Sequence, residues 1–191
     1  MVSYIIFAMK ELFNSDITKF ILKVAGIFLL WYVVYELWVL PNGWIDEPLS
    51  KNIASVSAGI LAFFGESVFY YDRVLGIHGG AGIEVVDGCN GIAAIGLFLG
   101  FIYAYPGEWT PRILFSIFGI AVIYLVNVAR IVTLSYIQVY WPSIFDFSHD
   151  YSTTAIFYVV IFILWMIWAN YGSGDFSKGD KNTITAEPGL T

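Results

Sequence analysis

Cys89 is the only thiol in the chain. A single cysteine closes no internal disulfide and builds no paired-cysteine redox or zinc site. What is left to it is nucleophilic chemistry, for which the thiolate is the reactive form. Two other residues could serve a thiolate. Arg130 carries a permanent positive charge. It also stands inside an apolar stretch, where an arginine costs ~2.5–3.5 kcal/mol on insertion scales and is a functional candidate by default. His149 titrates near neutral pH and can take and return a proton. His78, the other histidine, lies in a glycine-rich stretch and is given no role; two histidines exclude a three-His metal site. Plainer readings exist for all three. Cys89 could be inert packing, Arg130 a structural ion pair with Glu66 or Asp150, and His149 a solvated loop residue. Gly88 and Gly91 on either side of Cys89 weigh against the first, because they leave the backbone open to a ligand.

Bringing these residues together falls to the elements between them. Of the 191 residues, 59% are apolar and only 13% charged, against ~25% charged in a soluble domain. The mean hydropathy is +0.75. These values exclude a disordered chain, an ordinary cytosolic enzyme and a solvated linker. A net charge of −6 without a cluster of Lys and Arg excludes a nucleic-acid partner. The chain reads as an integral membrane protein whose surroundings are the lipid bilayer.

A hydrocarbon core of ~30 Å takes ~20 apolar residues of helix. Residues 20–40 qualify, with Lys23 and Glu36 near the ends. Residues 91–105 form a shorter apolar run stopped by Pro106. Residues 113–139 carry one charge, Arg130, and residues 153–170 carry none. Residues 53–65 are ambiguous, because the stretch between Lys51 and Glu66 makes only about 21 Å of helix. Ile53, Val56, Ile60 and Phe63 recur there at helical spacing. The reading is an amphipathic helix at the interface, with a fifth span as the alternative. The β-branched and aromatic run 69–87 is broken by glycines. It predicts a strand, a glycine turn and a second strand at 83–86.

Basic residues set the orientation. Lys10, Lys19, Lys23, Arg112, Lys178 and Lys181 fall on one side of a four-span chain, and Lys51 and Arg73 on the other. The first side is then cytoplasmic. The expectation is an all-α polytopic membrane protein: about four transmembrane helices, an interfacial amphipathic helix and a small extracytoplasmic β-hairpin. Residues 1–171 would form a single integral membrane domain and residues 172–191 a flexible cytoplasmic tail. No cleaved signal peptide is expected.

Alternation of the spans places the three reactive residues at one membrane face. Cys89 immediately precedes the helix that runs inward. Arg130 lies near the outer end of the helix that returns, its side chain expected to point outward. His149 stands in the loop before the last helix. At a helix N-terminus the backbone N–H groups favour an anionic sulfur, and a nearby guanidinium favours it further. An oxyanion formed by attack on a carbonyl would meet Arg130 or the N–H groups of residues 90–92. Asn127, one turn from Arg130, is placed to hold the guanidinium. Tyr124 shares that helix face and reads as packing. Asp146 and Asp150 flank His149 and could orient its ring.

The order of these residues resembles the exosortase/archaeosortase family over about residues 50–170. The segments are Asp87-Gly88-Cys89-Asn90-Gly91-Ile92, then Asn127-Val128-Ala129-Arg130, then His149 before the last apolar helix. The family pattern is a small residue, Cys, usually Ser, Gly and an aliphatic residue. An Asn-x-x-Arg follows in a later helix and a single His before the next. Asn90 replaces the usual Ser, and Ser152 stands where a glycine often follows the His. Neither change removes a reacting group. The resemblance implies a compact, membrane-embedded cysteine transpeptidase or protease. Its substrates would be membrane-anchored secreted proteins with a C-terminal sorting signal, made of a short motif, a transmembrane helix and a basic cluster. It implies Cys89 as nucleophile, Arg130 as partner of the thiolate or oxyanion, and His149 as proton shuttle. Asn127, Asn90, Gly91 and Asp150 would support them. Water, or an amine of a surface lipid or glycan, would resolve the thioacyl intermediate, with no cofactor and no metal. The site would face the outer side of the cytoplasmic (inner) membrane. Three other classes compete. A non-catalytic subunit of a secretion or polysaccharide-export system would need Arg130 for assembly and Cys89 for packing alone. A small transporter would show broken helices in paired halves, which the sequence lacks. A membrane lipid phosphatase would want more His and Arg at one face.

Overall fold

The computed structural model describes residues 16–172. Residues 1–15 and the expected tail beyond Gly172 lie outside that range. α1 (Asp16–Val34) continues through a π-helical turn (Tyr35–Val39) and a last helical turn (Leu40–Asn42). α2 is Asp46–Phe63. Strands β1 (Val68–Tyr71), β2 (Val74–Ile77) and β3 (Ile83–Glu84) follow. A 3-10 turn (Asp87–Cys89) leads to α3 (Ile92–Ala104) and α4 (Trp109–Tyr140). Short helical turns (Pro142–Ile144, Phe145–Phe147, Ser148–Ser152) lead into α5 (Thr153–Ile167), which ends in a π turn (Trp168–Gly172).

Three described runs are long and apolar enough to cross a bilayer: Ile17–Asn42, Trp109–Tyr140 and Pro142–Gly172. α3 is also apolar but shorter. The chain is therefore an all-α polytopic membrane protein carrying one small sheet. At ~1.5 Å per residue the 32 residues of α4 reach ~48 Å, against a hydrocarbon core of ~30 Å. That surplus divides the fold into two halves.

The lower half of α4 packs with α3 and α5 around Phe98, Ile102, Ile123, Phe157, Ile161, Leu164 and Trp168. α1 lies against α3, where the Trp31 indole fills the space that a side chain at Gly96 would need. The outward residues of lower α4 are Ile113, Leu114, Ile117, Phe118 and Leu125, a surface fit for lipid. The upper half packs with α2 and the sheet around a second core. Ile53, Ala54, Leu61, Leu75, Val85, Val128 and Ile131 belong to it. Its exterior is charged: Lys51 bridges Glu47 (2.7 Å) and Asp72 (3.0 Å), and Arg73 pairs with Asp87. Such groups are too costly for hydrocarbon, so this exterior is unsuited to the lipid core.

Two expected elements differ. The hairpin is a three-stranded antiparallel sheet in the order β1-β2-β3, with Val68 opposite Ile77 and Leu75 opposite Ile83. A turn at Asp72 and Arg73 cuts what reads in sequence as one strand. Asp72 takes φ 56° there, which aspartate tolerates better than most residues. α2 starts earlier than expected, at Asp46, and buries a face that only partly matches the apolar stripe. It runs beside upper α4: Asn52 accepts the Tyr124 hydroxyl at 2.6 Å, and Glu66, just past its far end, accepts that of Tyr140 at 3.3 Å. Its buried face is Asp46, Ser50, Ile53, Ala54, Ser57, Ala58 and Leu61, while Val56 and Phe63 of the expected stripe are exposed. Serines and alanines let α2 approach α4 closely, and contact with protein selects that face over the bulkier one.

Candidate active site

Cys89 closes the 3-10 turn, its N–H donating to the Val86 carbonyl at 2.8 Å. Gly91 then takes φ +86°, a conformation that costs any other residue dearly, and α3 begins. Two buried amides hold the turn. Asn127 on α4 donates to the Cys89 carbonyl at 3.0 Å. Asn90 accepts the Ile92 N–H at 3.0 Å and donates through Nδ2 to Asp46 Oδ1 at 2.6 Å. Asp46 Oδ1 also accepts the Tyr35 hydroxyl at 2.7 Å. Asp46 and Asn127 are both 0% exposed.

Arg130 stands one turn above Asn127. Its Nη2 lies 3.9 Å from Cys89 Sγ, and its guanidinium rests 5.7 Å from the centre of the Phe157 ring. The side chain thus lies between the Cys89 turn and α5. Among the described residues it forms no ion pair with Glu66 or Asp150: Glu66 receives Tyr140, and Asp150 faces His149. Arg130 borders a cavity of about 220 Å³ between α3 and α5, lined also by Gly88, Gly91, Ala94, Leu97, Phe157 and Ile161. Cys89 is half-buried, so its sulfur is not sealed into a core.

His149 lies in the turn Ser148–Ser152. Its Nδ1 is 2.9 Å from Asp150 Oδ1, and its ring stacks on Phe145 with centroids 6.0 Å apart. Asp150 is the carboxylate beside that ring nitrogen. Neither of these contacts is with Cys89 or Arg130. Phe157, beneath the guanidinium, lies about two turns further along the same helical run, ~12 Å at helical rise. The structure brings the thiol and the guanidinium together directly.

Two supporting residues act differently from expectation. Asn127 anchors the Cys89 backbone and does not brace the guanidinium. Of the N–H groups of residues 90–92, that of Ile92 is taken by the Asn90 side chain. Asp46 and Tyr35 carried no mark in the sequence. An aspartate followed by Glu47 and Pro48 reads as the acidic first turn of a helix. Tyr35 falls in an apolar run that does not announce its π turn. The signal available was a carboxylate placed just past the end of a span.

Three apolar runs long enough to cross a bilayer define a multi-pass membrane protein, in which a thiol and a guanidinium approach each other at the start of α3. The model of the transmembrane exosortase (EpsH) family matches residues 11–166, and the chain belongs to that family. No curated protein and no solved structure matches it.

Proposed function

We propose that this exosortase is a cysteine transpeptidase or peptidase, with Cys89 as nucleophile, Arg130 as its cationic partner and His149 as proton shuttle. The observation that carries the reading is the 3.9 Å approach of the only thiol to a guanidinium bordering a cavity. The substrate is a secreted protein held in the membrane by a C-terminal sorting signal. Its anchor helix lies beside the bundle, and its motif enters the cavity between α3 and α5.

The Cys89 thiolate bonds to the scissile carbonyl carbon, and the oxyanion that forms lies beside Arg130. The C–N bond breaks, and the leaving nitrogen takes a proton from the His149 imidazolium. Water, or an amine of a surface lipid or glycan, then attacks the thioester. The imidazole accepts the attacking group's proton, and the thiolate departs. The departing amine lies across the scissile bond from the sulfur, and His149 in the turn before α5 is the proton donor assigned to it. Lys19, Lys23 and Arg112 gather at the end of the bundle opposite Cys89, beside Tyr105. The positive-inside rule then turns the site to the outer side of the inner membrane.

Co-expression with a protein bearing such a signal tests the reading. The wild type should release a product shortened near its C-terminal helix, and Cys89→Ala should not. Cys89 should react with a membrane-impermeant thiol reagent on intact cells, more slowly when Arg130→Gln is introduced. Processing that survives in Cys89→Ala would instead support a non-catalytic subunit of a secretion or polysaccharide-export system.

A further inference from the structure

We propose that Asp46 is a positioning residue for Cys89, acting through Asn90; this rests on the cysteine-nucleophile reading above. The Asp46 carboxyl is fully buried, and only Oδ1 is bonded, to Tyr35 and Asn90. Oδ2 has no partner, and no cation pairs with the group among the described residues. Burial of a carboxylate without a countercharge is expensive, and an apolar residue would serve packing better. Its hydrogen bonds point to what it supplies. Asn90 cannot turn freely, because its oxygen is held by the Ile92 N–H. Its Nδ2 therefore needs an acceptor at one place, and Asp46 provides it. The residue next to the nucleophile is thereby fixed to α2.

Asp46 is fixed in turn from the first span. The π turn beginning at Tyr35 aims that hydroxyl at the carboxylate, and such turns are frequent at functional sites. The Tyr35 ring stacks on Trp31 with centroids 5.4 Å apart, and Trp31 sits over Gly96 of α3. The first span, α2 and the helix that follows Cys89 all meet through this one side chain.

The test uses the full chain in lipid nanodiscs, with two readouts: turnover of a sorting-signal substrate and alkylation of Cys89 by iodoacetamide. In Asp46→Ala, kcat should fall ~100-fold, the scale of a misplacement of about 1 Å, with KM little changed and alkylation slowed. Asp46→Asn keeps an oxygen that can accept from both Tyr35 and Asn90, and should recover most of the loss. Asn90→Ala leaves Asp46 in place and should reproduce the defect. The double Ala variant should be no worse than either single one. A folded Asp46→Ala with wild-type kcat and alkylation overturns the proposal, as does Asp46→Asn no better than Asp46→Ala. If Asp46→Ala does not fold, Asn90→Ala decides: wild-type behaviour there also overturns it. Turnover that survives in Cys89→Ala refutes the nucleophile reading instead, and the alkylation rates still report whether Asp46 sets the thiol.

Discussion

α4 carries one arginine in its first turn and another about two-thirds of the way along, and the fold treats the two in opposite ways. Arg112 is buried, and its Nη2 donates to the carbonyls of Tyr105 (3.0 Å) and Gly107 (2.8 Å). Its guanidinium also lies 5.0 Å from the Trp109 ring and 5.9 Å from that of Tyr103. Those carbonyls belong to the end of α3 and the loop after it, where helix carbonyls lack partners. Arg112 is a brace. Arg130 has one ring, one sulfur at 3.9 Å and a cavity. A charge in a membrane helix does not by itself mark a reactive site. What marks it is a cation whose donors its neighbours leave unused, beside space that a substrate can enter.

The strongest way to break this contrast is Arg130→Gln. Loss of a charged oxyanion donor should lower kcat by ~10²–10³, with a melting temperature close to wild type. Arg112→Leu should do the reverse. Two unpaired carbonyls and a lost charged donor should cost about 2–4 kcal/mol of stability. Thermal unfolding in detergent would show it, with turnover per folded molecule unchanged. Gly91→Ala is expected next, at about 1–2 kcal/mol for its left-handed backbone. Because that strain falls on the Cys89 turn, slower thiol alkylation should accompany the lower melting temperature. Lys51→Met should matter least. Hydrogen bonds from its ammonium to Glu47, then to Asp72, hold it up at about 12 in the folded chain, from 10.5. A raised value means that the bridge contributes below about pH 10.5 and fades as pH rises through 12. The group is on the surface and screened by water, so melting curves from pH 7 to 9 should nearly coincide with wild type. A large drop there would show that the upper half depends on its exterior charges.

The meeting of Cys89 and Arg130 was legible from helix alternation alone, because span length and direction are strongly constrained by a bilayer. The ring beneath Arg130 was not, since Phe157 reaches the guanidinium only through the packing of α5. The turn at Asp72 and Arg73 hid inside a β-branched and aromatic run, where composition outweighs a single turn residue. On α2, Ile53 and Ile60 of the apolar stripe pack as hydrophobicity predicts, but Val56 and Phe63 stay outside because packing on α4 takes serine and alanine in their place. Asp46 was illegible for a related reason. Its partners, Tyr35 and Asn90, are brought to it only by tertiary folding, and no local pattern encodes a meeting of three elements.

The helix that bears Arg130 is longer than a bilayer is thick. Membranes accommodate long rods by tilting them, at fractions of a kcal/mol per Å. Asn127 ties the Cys89 turn to that same rod, so a tilt of α4 in a thinner or thicker bilayer carries sulfur and guanidinium together.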